Sequence, residues 1–429
     1  MDTFVCKLYD SDSFNIKGAE VVNLNDNNLY NYTFWNKSKM LYRIPNLFTN
    51  EALDLFYLSL MVFYADRKIQ RSNQADRWTR NIEIYMPVFS IQKWNDNARI
   101  LKAALDFLTG DNWAIYFRER NCFTGDEIKY KNGHYRYRNS IEKVDADVFC
   151  MLSGGLDSFI GAIDLLSEGK KPIFVGNYNG GKGVSVYQKR VIGSLMAHFN
   201  VSKEHFYQFY AAPKNGKEDT TRSRSLLFFS HAILLASGMG KPIKLYIPEN
   251  GVISINIPLT EHRMGSLSTR TTHPYFMGLL QTLLSNIGLK ITLENPYQFK
   301  TKGEMMKDCK DFDYLSQSYA LTMSCSHPDL GRWKKERESS HCGVCLPCTI
   351  RRAAIHYSGI IDNSKYRDPE YKDIEAEVNL RSYQLGLTRD KVPLFAIQES
   401  GPIKYERRRF AELYQRGLEE LKHFIDTLQ

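Results

Sequence analysis

The spacing of apolar positions changes character near residue 145. Before it the periods are mixed. Asn50 precedes Leu53, Phe56, Leu60, Phe63 and Tyr64, which recur at helical spacing. Residues 80–88 and 113–118 read as strands, and between them Trp94, Ile100, Leu101, Ala104, Leu105 and Leu108 suit one helix that stops at Gly110. The stretch 121–140 is polar and rich in Tyr, Lys, Asn and Gly, and reads as a hairpin or exposed loop. After 145, apolar strands at 148–152, 172–175, 206–210 and 243–247 alternate with helices at 159–166, 184–199 and 223–237. Strands that are apolar throughout predict a parallel sheet covered on both faces. Residues 145–360 are therefore expected to form a doubly wound α/β domain. An accessory α/β region, 1–144, precedes it, and a helical extension, 361–429, follows. The extension ends in an amphipathic helix with Phe410, Leu413, Tyr414, Leu418, Leu421, Ile425 and Leu428 on one face, a stripe suited to core or docking.

Composition narrows the class. In 429 residues, 43% apolar and 24% charged positions exclude disorder as the main state. Eight cysteines are far too few for a disulfide scaffold. The N-terminus shows no basic start followed by an apolar run, and no apolar segment reaches the roughly eighteen residues that a membrane helix needs. A soluble, cytoplasmic protein with reduced thiols is expected, and no membrane partner. The net charge of +9 permits an anionic partner but is spread too thinly to favour nucleic acid. The basic run Arg332-Trp333-Lys334-Lys335-Glu336-Arg337 and Arg407–Arg409 read as solvated faces rather than an RNA surface.

Two motifs carry chemistry. The first strand after 145 runs into Ser153-Gly154-Gly155-Leu156-Asp157-Ser158. Two glycines between a buried strand and a helix let several N–H groups converge at the positive end of the helix dipole, a setting for pyrophosphate. Ser153 and Ser158 offer hydroxyls to phosphate oxygens. Asp157 suits that place only if it holds Mg²⁺ or a loop N–H. Neither a Walker A loop nor Gly-x-Gly-x-x-Gly is present. The second motif is Cys342-Gly343-Val344-Cys345-Leu346-Pro347-Cys348, with Cys325 upstream. Two-residue gaps let thiolates converge on one tetrahedral ion, and Cys325 closes a structural zinc shell. His327 and His341 are rival fourth ligands, and an iron–sulfur cluster uses similar spacing. Cys6, Cys122, Cys150 and Cys309 stand alone and read as small apolar residues.

The six-residue loop resembles the signature of the PP-loop ATP pyrophosphatases, an adenine nucleotide α-hydrolase-like fold whose members bind ATP, adenylate a substrate and release pyrophosphate. Adding the cysteine run and the basic residues Arg351 and Arg352, the region 145–360 looks like QueC, which makes 7-cyano-7-deazaguanine from 7-carboxy-7-deazaguanine. The stretch Arg222–Ala232 resembles a family helix start, which makes Arg224 the matching arginine. The stretch Asn295–Glu304 resembles a second family segment and places Lys302 near the phosphates. The resemblance implies ATP on residues 153–158, with Asp157, Lys302 and Arg224 catalytic, Mg²⁺ and Zn²⁺ as cofactors, and a 7-deazapurine substrate. Where the family has asparagine after the arginine, Ser225 stands here, and its base-binding segment is not recognisable. In the equivalent place Glu249, Asn250, Gly251 and 266–274 supply polar residues: Glu249 to accept from a purine-like N–H, Arg270 to pair with a carboxylate. The regions 1–144 and 361–429 are foreign to QueC. That combination looks like the QueC-like proteins of bacterial anti-phage islands, those of the Qat system in particular. It implies a protein partner from the same operon whose amine receives the activated deazapurine. A conventional nitrile synthase, an RNA-modifying enzyme and a non-catalytic nucleotide-binding scaffold are the alternatives.

Overall fold

The computed structural model describes residues 2–178, 182–259, 270–331, 338–389 and 391–428. The run 332–337 and the stretch 266–269, both singled out above, lie outside them. Ten strands are present among the described residues: β1 Asp2–Lys7, β2 Glu20–Asn23, β3 Tyr30–Tyr32, β4 Asn81–Val88, β5 Asn112–Glu119, β6 Val148–Met151, β7 Pro172–Tyr178, β8 Phe206–Pro213, β9 Ile243–Tyr246 and β10 Ile291–Glu294. They form a four-stranded sheet in the order β2-β1-β4-β5 and a six-stranded sheet in the order β10-β9-β6-β7-β8-β3. In the first sheet every pairing is parallel, with Phe4 opposite Glu20, Asp2 opposite Ile82, and Asn81 opposite Asn112. At the edge of the second, β3 pairs antiparallel with β8. Its strands β6 and β7 are buried for most of their length, as covered strands must be.

The chain divides into two compact units. One comprises Met1–Phe149, Tyr207–Leu245 and Phe276–Leu293; the other comprises Cys150–Phe206, Tyr246–Tyr275 and Glu294–Gln429. In the first unit the Asn50–Lys68 helix is buried around most of its circumference. It meets the Arg224–Ser237 helix through a hydroxyl pair, Ser59 and Ser230, at 2.7 Å in the interior. Asp66 near its end caps the start of that second helix, accepting from the Arg222 and Ser223 N–H groups at 3.0 and 2.9 Å. Arg80 and Arg71 neutralise Asp66 and Asp111 in a wholly buried network, which satisfies charges that would be prohibitive alone.

Two expectations about the first unit change. The single helix ending at Gly110 is two, Ile91–Asp96 and Ala98–Thr109, with Gly110 at φ 76° closing the second. The stretch expected as a hairpin or loop contains the Gly125–Arg136 helix. Thr124 and Glu127 form a reciprocal capping box that starts it, and Glu127, Tyr130 and His134 turn inward at helical spacing.

In the second unit the Arg407–Asp426 helix buries Phe410, Leu413, Tyr414, Leu421, Phe424 and Ile425, so the apolar stripe of the extension is core. No helix among the described residues is long and apolar enough to cross a membrane.

Candidate functional site

The site lies in the second unit and is built around the start of the Leu156–Ser167 helix. Leu152, just past β6, donates its N–H to Val175 at 2.8 Å, and the chain then turns at Gly154 with φ 86°. A Cβ there would fall 2.8 Å from Gln188 Cγ, so glycine is required on both counts. Gly155 is the N-cap residue, and no side chain caps the helix. The first-turn N–H groups therefore keep their capacity to bind an anion. Serine hydroxyls close the loop: Ser153 Oγ and Ser158 Oγ lie 3.1 Å apart, and Ser158 Oγ donates to the Gly155 carbonyl at 3.0 Å. Buried Gln188 clamps it from outside, donating to the Ser153 and Asn177 carbonyls at 3.0 and 3.1 Å.

Asp157 turns away from the N–H groups of its own loop, toward Lys302 and the 248–250 turn. One carboxylate oxygen pairs with Lys302 Nζ at 2.6 Å, and the other accepts from the Asn250 N–H and amide at 3.1 and 2.8 Å. Both charged side chains are about nine-tenths buried. The packing of the helix explains how distant segments reach it. A Cβ at Gly161 would stand 2.3 Å from Pro248 Cγ, so only glycine lets the 248–250 turn come this close. One turn on, Asp164 accepts from the Tyr297 hydroxyl at 2.5 Å and ties down the segment that leads to Lys302.

Glu249 lies beside this pair. It accepts from the Thr272 hydroxyl, which contacts Ser254 at 3.0 Å, while Asn295 donates to the Glu249 carbonyl at 2.8 Å. Burial, aided by the Asp157 charge, pushes the Glu249 carboxyl up to about 7. Ser153, Gly155, Asp157, Ser158, Glu249 and Lys302 line one cleft of about 260 Å³, and Pro347 and Ile350 form another wall.

Those last two residues belong to the Leu346–Ser358 helix, which also presents the cysteines. Cys345 is its N-cap and Cys348 sits in its first turn. The sulfurs of Cys325, Cys342, Cys345 and Cys348 all lie within 4.8 Å of one another, with Cys325–Cys345 at 3.9 Å and Cys342–Cys348 at 3.8 Å. A tetrahedron with Zn–S bonds of about 2.3 Å has edges of about 3.8 Å, which these two pairs match, so the four thiols suit a zinc shell. Backbone N–H groups of His327, Cys342 and Cys345 point at these sulfurs, as a thiolate shell requires. His341 is not placed as a ligand: its Nε2 accepts the Ser324 N–H at 3.2 Å. Burial and Arg351 push its ring down to about 3.

No protein-family model matches the chain. It is similar to two 7-cyano-7-deazaguanine synthases. The protein from Rickettsia akari (strain Hartford) is 26% identical over 177 residues, 41% of this chain and 69% of the relative. The one from Rickettsia canadensis (strain McKiel) is 24% identical over 188 residues, 43% of this chain and 74% of the relative.

Of the residues that the QueC-like pattern singles out, Ser153–Ser158 and Lys302 meet in one cleft, and the four cysteines meet beside it. Arg224 begins its helix in the other unit and is exposed. Arg351 and Arg352 are not a basic surface. They are buried and reach the Tyr319 and Pro369 carbonyls at 2.9 and 2.7 Å, holding the chain around the cysteine cluster. Gln188 was missed, because nothing in its local sequence marks it. Asn250 was noted only for its polarity, although its place before Gly251 is that of a helix cap.

Proposed function

We propose that the chain is an ATP-dependent, AMP-forming enzyme that activates a 7-carboxy-7-deazaguanine-like carboxylate and passes it to an amine. The observation that carries this reading is Asp157 paired with Lys302 at 2.6 Å at the lip of an uncapped, glycine-turned loop in one cleft. The triphosphate lies on the loop N–H groups and the Ser153 and Ser158 hydroxyls. A substrate carboxylate oxygen bonds to the α-phosphorus as the bond to the β-phosphate oxygen breaks, and pyrophosphate leaves with the electron pair. Lys302 offsets the charge on the leaving group. The amine nitrogen then bonds to the acyl carbon, AMP departs, and the amine's extra proton passes to solvent. Placement of the amine supplies much of that rate.

Mg²⁺ would be held by Asp157 together with the substrate phosphates, in keeping with its habit of binding through one carboxylate and phosphate oxygens, and would neutralise phosphate charge. Zn²⁺ on Cys325, Cys342, Cys345 and Cys348 is structural, since four thiolates leave it no open position. In this reading residues 145–360 are the doubly wound PP-loop domain, and 1–144 and 361–429 are additions that receive a partner protein in anti-phage defence in the cytoplasm. The names of the two relatives favour a second outcome, nitrile synthesis with ammonia as the amine. Incubation with ATP, 7-carboxy-7-deazaguanine and either ammonia or proteins encoded beside this chain, read by mass, separates them. A mass increase on a protein supports conjugation, and product with ammonia alone supports the synthase. No AMP in any arm refutes both.

A further inference from the structure

The Arg407–Asp426 helix carries one feature that packing does not explain. Within its buried face sits a carboxylate, Glu420, only 6% exposed. A helix that needed only to pack would place an apolar side chain there, because burying a carboxylate is costly unless hydrogen bonds compensate. Here they do, and all go to one short turn. Glu420 accepts the Thr301 hydroxyl hydrogen, and its two oxygens lie 3.0 and 3.2 Å from the Gly303 N–H. Thr301 and Gly303 flank Lys302. A Cβ on Gly303 would stand 2.6 Å from Glu420 Oε2, so glycine at this position permits the approach. One turn earlier on the same helix, Arg416 pairs with Glu304 at 2.6 Å and donates to the Phe299 carbonyl at 2.9 Å. The helix thus grips the chain on both sides of Lys302, whose ammonium meets Asp157 in the cleft.

We propose that Glu420 is a positioning residue: it holds the Thr301–Gly303 turn so that Lys302 is directed at Asp157 and the cleft, and the C-terminal helix is thereby part of the functional centre. This rests on the reading that Lys302 serves the reaction.

The test uses the full chain in five forms: wild type, Glu420→Ala, Glu420→Asp, Lys302→Ala and the Glu420→Ala/Lys302→Ala pair. Two readouts are taken. The first is the rate at which an amine-reactive ester labels Lys302, resolved by peptide mass mapping, which requires no activity. Labelling is expected to rise several-fold in Glu420→Ala and less in Glu420→Asp, which keeps the charge one methylene further back. Unchanged labelling in both overturns the proposal, whatever the chain catalyses. The second is AMP formation. Glu420→Ala is expected to lower kcat by about 10- to 100-fold, the cost of misplacing a reacting group by about an ångström, with little change in KM for ATP. The loss should vanish when Lys302 is already alanine. An equal loss in that background means that Glu420 acts through general stability, and the proposal fails. Shifted labelling with Lys302→Ala as active as wild type sinks the functional reading and leaves the positioning intact.

Discussion

Replacing Asp157 by alanine strands the Lys302 ammonium, whose side chain is 9% exposed, and removes the acceptor of both Asn250 donors. Removing one member of a buried ion pair costs about 3–5 kcal/mol, because the remaining charge stays desolvated. The pair lines a cleft that water can enter, so the low end applies, about 3 kcal/mol. At roughly 2–4 °C per kcal/mol for units of this size, Tm should fall by roughly 6–12 °C. Adding Lys302→Met removes the stranded charge and should recover more than half of the loss, since an apolar replacement for a buried pair is often close to neutral. Thermal unfolding followed by circular dichroism on wild type, both single variants and the double closes the cycle, with a coupling of about 2 kcal/mol expected. Additive losses, or a Tm for Asp157→Ala within a degree of wild type, would show that the pair is not formed and would remove the observation on which the functional reading stands.

Gly154→Ala forces a Cβ against Gln188 at a positive φ, costs about 1–3 kcal/mol of strain, and should weaken ATP binding at least tenfold by calorimetry. Metal analysis of the purified chain should find about one zinc per chain; Cys345→Ser should lose most of it and lower Tm, and iron in place of zinc would refute the assignment. Glu420 titrates near 7 in the folded chain, raised by burial from its ordinary 4.5. Between those values the folded state holds a proton that the unfolded state has released. Its contribution is complete below about pH 4.5 and is lost as pH rises through 7, on the order of 3 kcal/mol. Urea midpoints across that range should fall more steeply for wild type than for Glu420→Gln.

How much was legible depended on whether a residue's role is local. Ser153–Ser158 could be read because an apolar strand, two glycines and a helix are contiguous, and the cysteine spacing carries its own geometry. The partner of Asp157 was not readable from residues 150–160, because Lys302 arrives through tertiary contacts at Gly161 and Tyr297. Glu420 was invisible for the same reason: on a helix rich in charge, one carboxylate among several looks solvated. The burial of Arg351 and Arg352 was not readable either, because the Tyr319 and Pro369 carbonyls that they reach lie on other segments of the chain. The Gly125–Arg136 helix was lost to its polar composition, although Thr124 and Glu127 stood at capping-box spacing.

The central claim is that a substrate carboxylate attacks the α-phosphate of ATP. Labelling the carboxylate of 7-carboxy-7-deazaguanine with ¹⁸O, running the reaction to completion and weighing the released AMP tests it directly. Transfer of one ¹⁸O atom to the AMP phosphate is predicted, with none when Asp157 is alanine. Unlabelled AMP, or ADP and labelled inorganic phosphate in its place, would contradict it.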